Sequence, residues 1–366
     1  MRTILIAFLL LGTNLAASEL PRAKVEQIEK LVNTFMSANE VPGLSIAVVV
    51  DGDMSWSNGY GLADVQNSVA STATTQYQAA SIGKTMTAAA AMHLADDGKL
   101  HLAADIRNYC PAFPARQWRI TPWNLLTHTS GIRHYGGANA AAEEFSTKHY
   151  PSVAAAMEPF KNDPLQFEPG SRHQYSTYGF NVLGCVVEGA AGMPFLDAMR
   201  KYVWDPAGMS ATRDDDPSAI VSNRAAKYVR VDGTLRNAPL VDMSNRLAGG
   251  AYLTTAVDLA KFAAAMMTGK IVRPETLQRM VTPARLANGQ VVEYGLGWGV
   301  EIDEWHGDRW AFHGGSTPGA SGFLAMMPKH RFAVVYLTNL ENLKGRAELA
   351  EDIARVVLDF GPRKTP

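Results

Sequence analysis

Strand-forming segments lie at both ends of this chain and helical segments fill the middle, and that division restricts the fold more than any other feature. Val25 to Ser37 carries apolar residues at helical spacing. Leu44 to Val50 is then an apolar, β-branched run, followed by the turn Asp51-Gly52-Asp53 and an extended stretch through Tyr60. A helix and a β-hairpin are expected there. Near the other end, Tyr294 to Ile302, Arg309 to Ser316, Ser321 to Met327 and Phe332 to Thr338 are each apolar or alternating, with Pro318-Gly319 and Pro328-Lys329 in the turns between. These read as consecutive antiparallel strands covered by an amphipathic helix over about Lys344 to Leu358. From Ser81 to Met267 the pattern is mainly helical. The simplest arrangement is one sheet assembled from about 25–80 and 270–366, with a helical subdomain of about 81–269 inserted in it. No repeat, low-complexity linker or heptad pattern interrupts it.

At 366 residues and 47% hydrophobic, the chain has room for one large domain. Its 34 Lys and Arg against 35 Asp and Glu leave a formal charge of -1, so nucleic acid is not an expected partner. Met1-Arg2, the apolar run Ile4 to Leu11 and the small residues Ala16-Ala17-Ser18 predict a secretory signal over 1–18, with a mature chain of 19–366 in the periplasm or outside the cell. That apolar run falls short of the roughly 20 residues that span a bilayer, so no stable membrane span is expected. Of the two cysteines, Cys185 lies in the apolar helical pattern Val182 to Val187 and reads as a buried free thiol; pairing with Cys110 is not legible.

Three short segments carry chemistry. In Ser81-Ile82-Gly83-Lys84, at a helix start, a spacing of three sets hydroxyl and amine on one helical face, where a neutral amine can take the proton of an attacking hydroxyl. Tyr175-Ser176-Thr177 lies in a loop before a helix from Tyr178 to Ala191. Held beside Lys84, Tyr175 would relay protons, its phenol made more acidic by nearby ammonium groups. His313-Gly314-Gly315-Ser316 lies on a late strand. There Gly315 would let a substrate backbone lie along the strand, and the Ser316 N–H would join that of Ser81 in an oxyanion hole.

In this order, Ser-x-x-Lys, Tyr-x-Thr and His-x-Gly resemble the serine penicillin-recognising enzymes, which use Ser-x-x-Lys, Tyr-x-Asn and Lys- or His-x-Gly. Leu125 to Tyr135, Tyr175 to Glu188, Leu247 to Met266 and Tyr294 to Trp298 extend the likeness to the class C β-lactamase-related group, and within it to the LACTB-type β-lactamase-like serine proteases. The resemblance implies an α/β (α+β) fold, the β-lactamase/DD-peptidase fold, with a five-stranded antiparallel sheet flanked by helices and the cleft beside the helical subdomain. It also implies catalysis by Ser81, Lys84 and Tyr175, with Ser81, Thr177, His313, Gly315 and Ser316 binding the substrate.

Thr177 in place of Asn and His313 in place of Lys weaken the case for an efficient β-lactamase. Peptide or amide hydrolysis is therefore expected first, with a small molecule or peptide as substrate. A carboxylesterase on the same fold, a weak β-lactamase and a silent binding protein are the alternatives. No Gly-x-Ser-x-Gly elbow and no His-Glu-x-x-His spacing occurs, so neither a separate triad nor a metal or other cofactor is expected. His128 reads as part of a structural Leu-Leu-x-His-Thr-Ser-Gly turn. Nothing in the pattern speaks to oligomeric state.

Overall fold

The computed structural model describes residues 19–136, 140–303 and 307–361, so the signal-peptide reading over 1–18 lies outside the described residues. The main sheet is antiparallel. It comprises β1 (Gly43–Val50), β2 (Asp53–Asp64), β3 (Val69–Ala70), β4 (Gly299–Ile302), β5 (Arg309–Thr317), β6 (Ala320–Met327) and β7 (Phe332–Thr338), in the order β4-β5-β6-β7-β1-β2-β3. β7 pairs with β1 through Leu44 opposite Thr338, which joins the two ends of the chain in one sheet. Seven strands stand where five were expected. The five long ones are β1, β2, β5, β6 and β7, and the two-residue β3 and four-residue β4 extend the edges.

Period-two alternation gives the sheet two apolar faces. Leu44, Ile46 and Val48 of β1 and Phe332, Val334 and Tyr336 of β7 face one core with Ile28, Val32 and Phe35 of helix α1 (Arg22–Asn39). Their alternates Ala47, Val49, Ala333, Val335 and Leu337 face the other core, with helix α2 (Gly83–Asp96), helix α3 (Thr177–Ala191) and helix α4 (Ala256–Met267). Helix α5 (Arg346–Leu358) packs with α1 on the first face. Burial runs all round α2: Met86, Ala88 to Ala91 and Leu94 are sealed, as expected of a helix passing through a core. Among the described residues no single helix is long and apolar enough to cross a membrane.

The inserted part is less purely helical than expected. It contributes Arg213–Asp214 and Tyr252–Thr254 to a small sheet with Tyr77–Gln78, and the hairpin Tyr228–Val231 with Thr234–Asn237. These strands have two to four residues, too short for an alternation to be read. The reading of Cys185 as a free thiol is overturned: Cys110 and Cys185 form a disulfide that ties α3 to the segment after the turn Ile106–Asn108. Cys185 is buried, but its neighbour across the core is a sulfur 75 residues earlier.

Candidate active site

Tyr77–Gln78 leads into the 3₁₀ turn Ala80–Ile82, which runs on into α2, so Ser81 sits just ahead of the helix. Ala80, immediately before it, holds φ at +45°, a costly value for a residue with a side chain. Two glycines permit the neighbouring chain to press on this turn. A Cβ on Gly315 would lie 2.6 Å from the Ala79 carbonyl oxygen and 3.3 Å from the Ser81 nitrogen, and one on Gly250 would lie 1.8 Å from the Ala80 oxygen. Gly315 is thus required for close approach of β5 to the serine turn. Among the described residues β4 pairs with Arg309 to Phe312 and no strand pairs with the edge of β5 from His313 onward, beside Ser81.

Lys84 follows one turn later, fully buried. Its Nζ lies 3.0 Å from Ser81 Oγ and donates to the Gly249 carbonyl at 2.8 Å. Phe180 and Tyr175 wall it in, with Nζ at 5.8 Å and 5.0 Å from their ring centroids. Burial drives the amine well below its ordinary pKa, and the Arg246 guanidinium adds to the effect. In its neutral form the amine can receive the Ser81 proton.

Tyr175 stands near both Ser81 and Thr177, whose hydroxyls act on its phenol. The expectation that neighbouring charge acidifies its phenol is overturned: burial pushes the phenol up, and the hydroxyls of Ser81 and Thr177 only partly offset this. Tyr175 therefore keeps its proton at neutral pH, and of the two groups Lys84 is the one placed to accept a proton.

His313 is buried, its Nδ1 2.7 Å from the Gly314 carbonyl and its Nε2 3.1 Å from the Tyr294 hydroxyl. The carbonyl can only accept, so Nδ1 carries the proton and Nε2 accepts from Tyr294. Burial pushes His313 down to about 3, so the imidazole is neutral at neutral pH. Ser316 is exposed at the open edge of β5.

Two histidines hold the Tyr175 loop from beneath. His128 Nδ1 accepts the Ser176 N–H at 3.1 Å and His134 Nδ1 accepts the Thr177 N–H at 3.2 Å, at the start of α3, where backbone donors lack helical partners. The His128 ring lies 4.3 Å from that of Tyr175. Burial, with the charge of Arg246 behind it, holds His134 down at about 4, so it is an acceptor at neutral pH. Ser176 Oγ donates to the Arg133 carbonyl at 2.8 Å and accepts from the Gly179 N–H at 2.9 Å, and Tyr135 OH donates to Thr177 Oγ1 at 3.3 Å.

Ser81, Lys84, Tyr175, Thr177, Gly315 and Ser316 thus converge on the open edge of β5, and His313 backs them. The sequence profile of the Beta-lactamase family matches residues 28–358. The chain belongs to the Beta-lactamase family. The human serine beta-lactamase-like protein LACTB, mitochondrial, is similar at 30% identity over 83% of this chain and 72% of that protein. Among solved structures, the octameric penicillin-binding protein homologue from Pyrococcus abyssi superimposes with a TM-score of 0.79 at 24% identity, covering 93% of this chain and 78% of the other. The D-amino acid amidase from Ochrobactrum anthropi SV3 reaches 0.78 at 22% identity, over 92% and 99%. At these identities the likeness shows a shared fold. This Beta-lactamase family member is a serine hydrolase. The motif residues were legible in the sequence, whereas Gly249, Arg246 and the acceptor roles of His128 and His134 were not. The segment Ser-Gly-Ile-Arg-His-Tyr was the one signal near His134.

Proposed function

We propose that the protein is an exported peptidase or amidase that works through an acyl-enzyme on Ser81. Lys84 Nζ takes the Ser81 proton as Oγ attacks the substrate carbonyl, and the N–H groups of Ser81 and Ser316 receive the developing oxyanion. The C–N bond then breaks as the leaving nitrogen takes a proton from Tyr175, which recovers one from the Lys84 ammonium. Water hydrolyses the ester and frees Ser81. The observation that carries an amide over an ester is Tyr175, a phenol that retains its proton near Ser81, because an amine leaves only when protonated and an alkoxide does not need this.

The neutral, doubly engaged His313 supplies no fixed cation for a substrate carboxylate, and Thr177 brings a hydroxyl where an amide would grip a lactam. Both favour a weak β-lactamase at most. Export is supported by the Cys110–Cys185 disulfide, which persists in oxidising compartments. The test pairs p-nitroanilide and p-nitrophenyl ester substrates of small acyl amino acids, using wild type and Ser81→Ala. Turnover of both by wild type alone is expected. Turnover of esters only would make the protein a carboxylesterase, and turnover of neither, with no acyl adduct, a binding protein.

A further inference from the structure

A small cavity, mainly apolar in its exposed lining but holding a few buried polar groups, lies behind the serine turn. It encloses about 130 Å³ between the strand Tyr77–Gln78, the segment from Asp215 to Lys227, Leu240-Val241 and the β5–β6 turn at Gly319. It is thus bounded on one side by the strand that feeds into Ser81 and on another by the turn that follows Gly315 and Ser316. None of the residues assigned above to catalysis or substrate binding lines it.

Its polar groups are incompletely matched. Gln78, 4% exposed, gives its amide nitrogen to Asp215, which fixes the amide orientation and leaves Oε1 buried without a partner. Gln76 likewise donates to the Ser222 carbonyl at 3.0 Å and leaves Oε1 unmatched. Asp215 is already engaged, accepting from Gln78 and from Arg224 at 2.8 Å. Lys227 also lines the cavity and makes no ion pair among the described residues. Burial lowers its amine, with Asp215 opposing and Arg224 reinforcing that shift. Two cations against one committed carboxylate leave a positive balance, and buried acceptors without donors are costly in a finished structure. Leu240, Val241 and Leu253 form the apolar wall.

A ligand that completes this set brings a carboxylate to Lys227 and an N–H to the Gln78 oxygen, with a small apolar group against the wall. The volume equals roughly four water molecules at about 30 Å³ each, which suits an amino-acid-sized molecule and excludes a long peptide. We propose that this cavity binds an amino-acid-sized carboxylate bearing an N–H group, through Lys227 and Gln78. The same chemistry is presented by a free N-acyl amino acid and by a carboxylate-bearing arm of the substrate.

Calorimetric titration of N-acetylalanine, both enantiomers, into the Ser81→Ala protein tests binding without any reaction, so its outcome is independent of the acyl-enzyme proposal. Saturable one-to-one binding is expected, weakened about tenfold or more when the methyl ester replaces the acid or when Lys227→Met removes the ammonium. Leu240→Trp, at a rim position 70% exposed and so tolerant in folding, should fill the cavity and abolish binding. No saturable heat with either enantiomer, or binding unchanged in Lys227→Met and Leu240→Trp, would overturn the proposal. Once binding is established, labelling of wild-type Ser81 by a fluorophosphonate assigns the source. Slowed labelling identifies the substrate's own arm and unchanged labelling a separate small acid.

Discussion

Gly315→Ala isolates the close approach of β5 to the serine turn from every other feature of the site. The added methyl would stand 2.6 Å from the Ala79 carbonyl oxygen, where ordinary contact begins at 3.4 Å, so strand and turn must separate by 0.8 Å, the difference of those two distances. The nearest atoms are backbone and a short Ala80 side chain, neither of which can swing aside. Overpacking of this kind costs about 1–3 kcal/mol, which in a chain this size lowers Tm by several degrees and leaves the protein folded. The chemical cost is larger. A displacement near 1 Å between a nucleophile and the donors that must meet its oxyanion is worth on the order of 10²-fold in rate. The assay is the pseudo-first-order rate of fluorophosphonate adduct formation, followed by intact mass, beside a thermal melt. A rate down by about 10- to 100-fold with a melt lowered by only a few degrees is expected. Labelling at the wild-type rate in a folded Gly315→Ala protein would show that Ser316 and Ser81 do not act across this contact.

Tyr175→Phe should lower amide turnover by about 10²- to 10⁴-fold and ester turnover by much less, measured as kcat/KM on matched substrates; equal losses would deny Tyr175 its role as proton donor. Reducing Cys110–Cys185, or replacing both by Ser, releases a loop of 75 residues and should cost roughly 4 kcal/mol in denaturant unfolding, with no loss expected if the thiols are free. His134, held down at about 4 against 6.5 when unfolded, takes up a proton in the unfolded chain before it does in the fold. Stability should therefore fall as pH drops from 6.5 towards 4. His134→Gln, whose amide oxygen can still accept the Thr177 N–H, should flatten that fall in a pH series of melts, and an unchanged slope would refute the assignment.

The long strands were legible because each buries alternate residues on two faces. Phe332 to Thr338 is matched at both ends, and Leu44 to Val50 and Ser321 to Met327 to within a residue. Strands of two to four residues, such as Arg213–Asp214, carry no period to read. At the site, Ser81, Lys84 and Tyr175 were legible from residue type and order, but their protonation was not. The state of Lys84 depends on burial beneath Phe180 and on Arg246, 162 positions away, and no local spacing encodes that sum. The error over Tyr175 has the same origin, since charge was read from neighbours in the motifs while burial, a property of the packed fold, outweighs it. The histidine acceptors were illegible for a related reason: a ring that accepts a backbone N–H across 43 positions looks like any other histidine in the chain.

The central claim is that Lys84 is neutral at physiological pH and deprotonates Ser81. Its most direct test is the pH dependence of fluorophosphonate acylation of Ser81 between about pH 5 and 11, bracketing the ordinary lysine value near 10.4. A rate that rises at low pH and reaches a plateau by neutrality, with the plateau lost in Lys84→Met, is the predicted result. A rate that keeps climbing to about pH 10 would mean that Lys84 is an ammonium at neutral pH and that another group activates the serine.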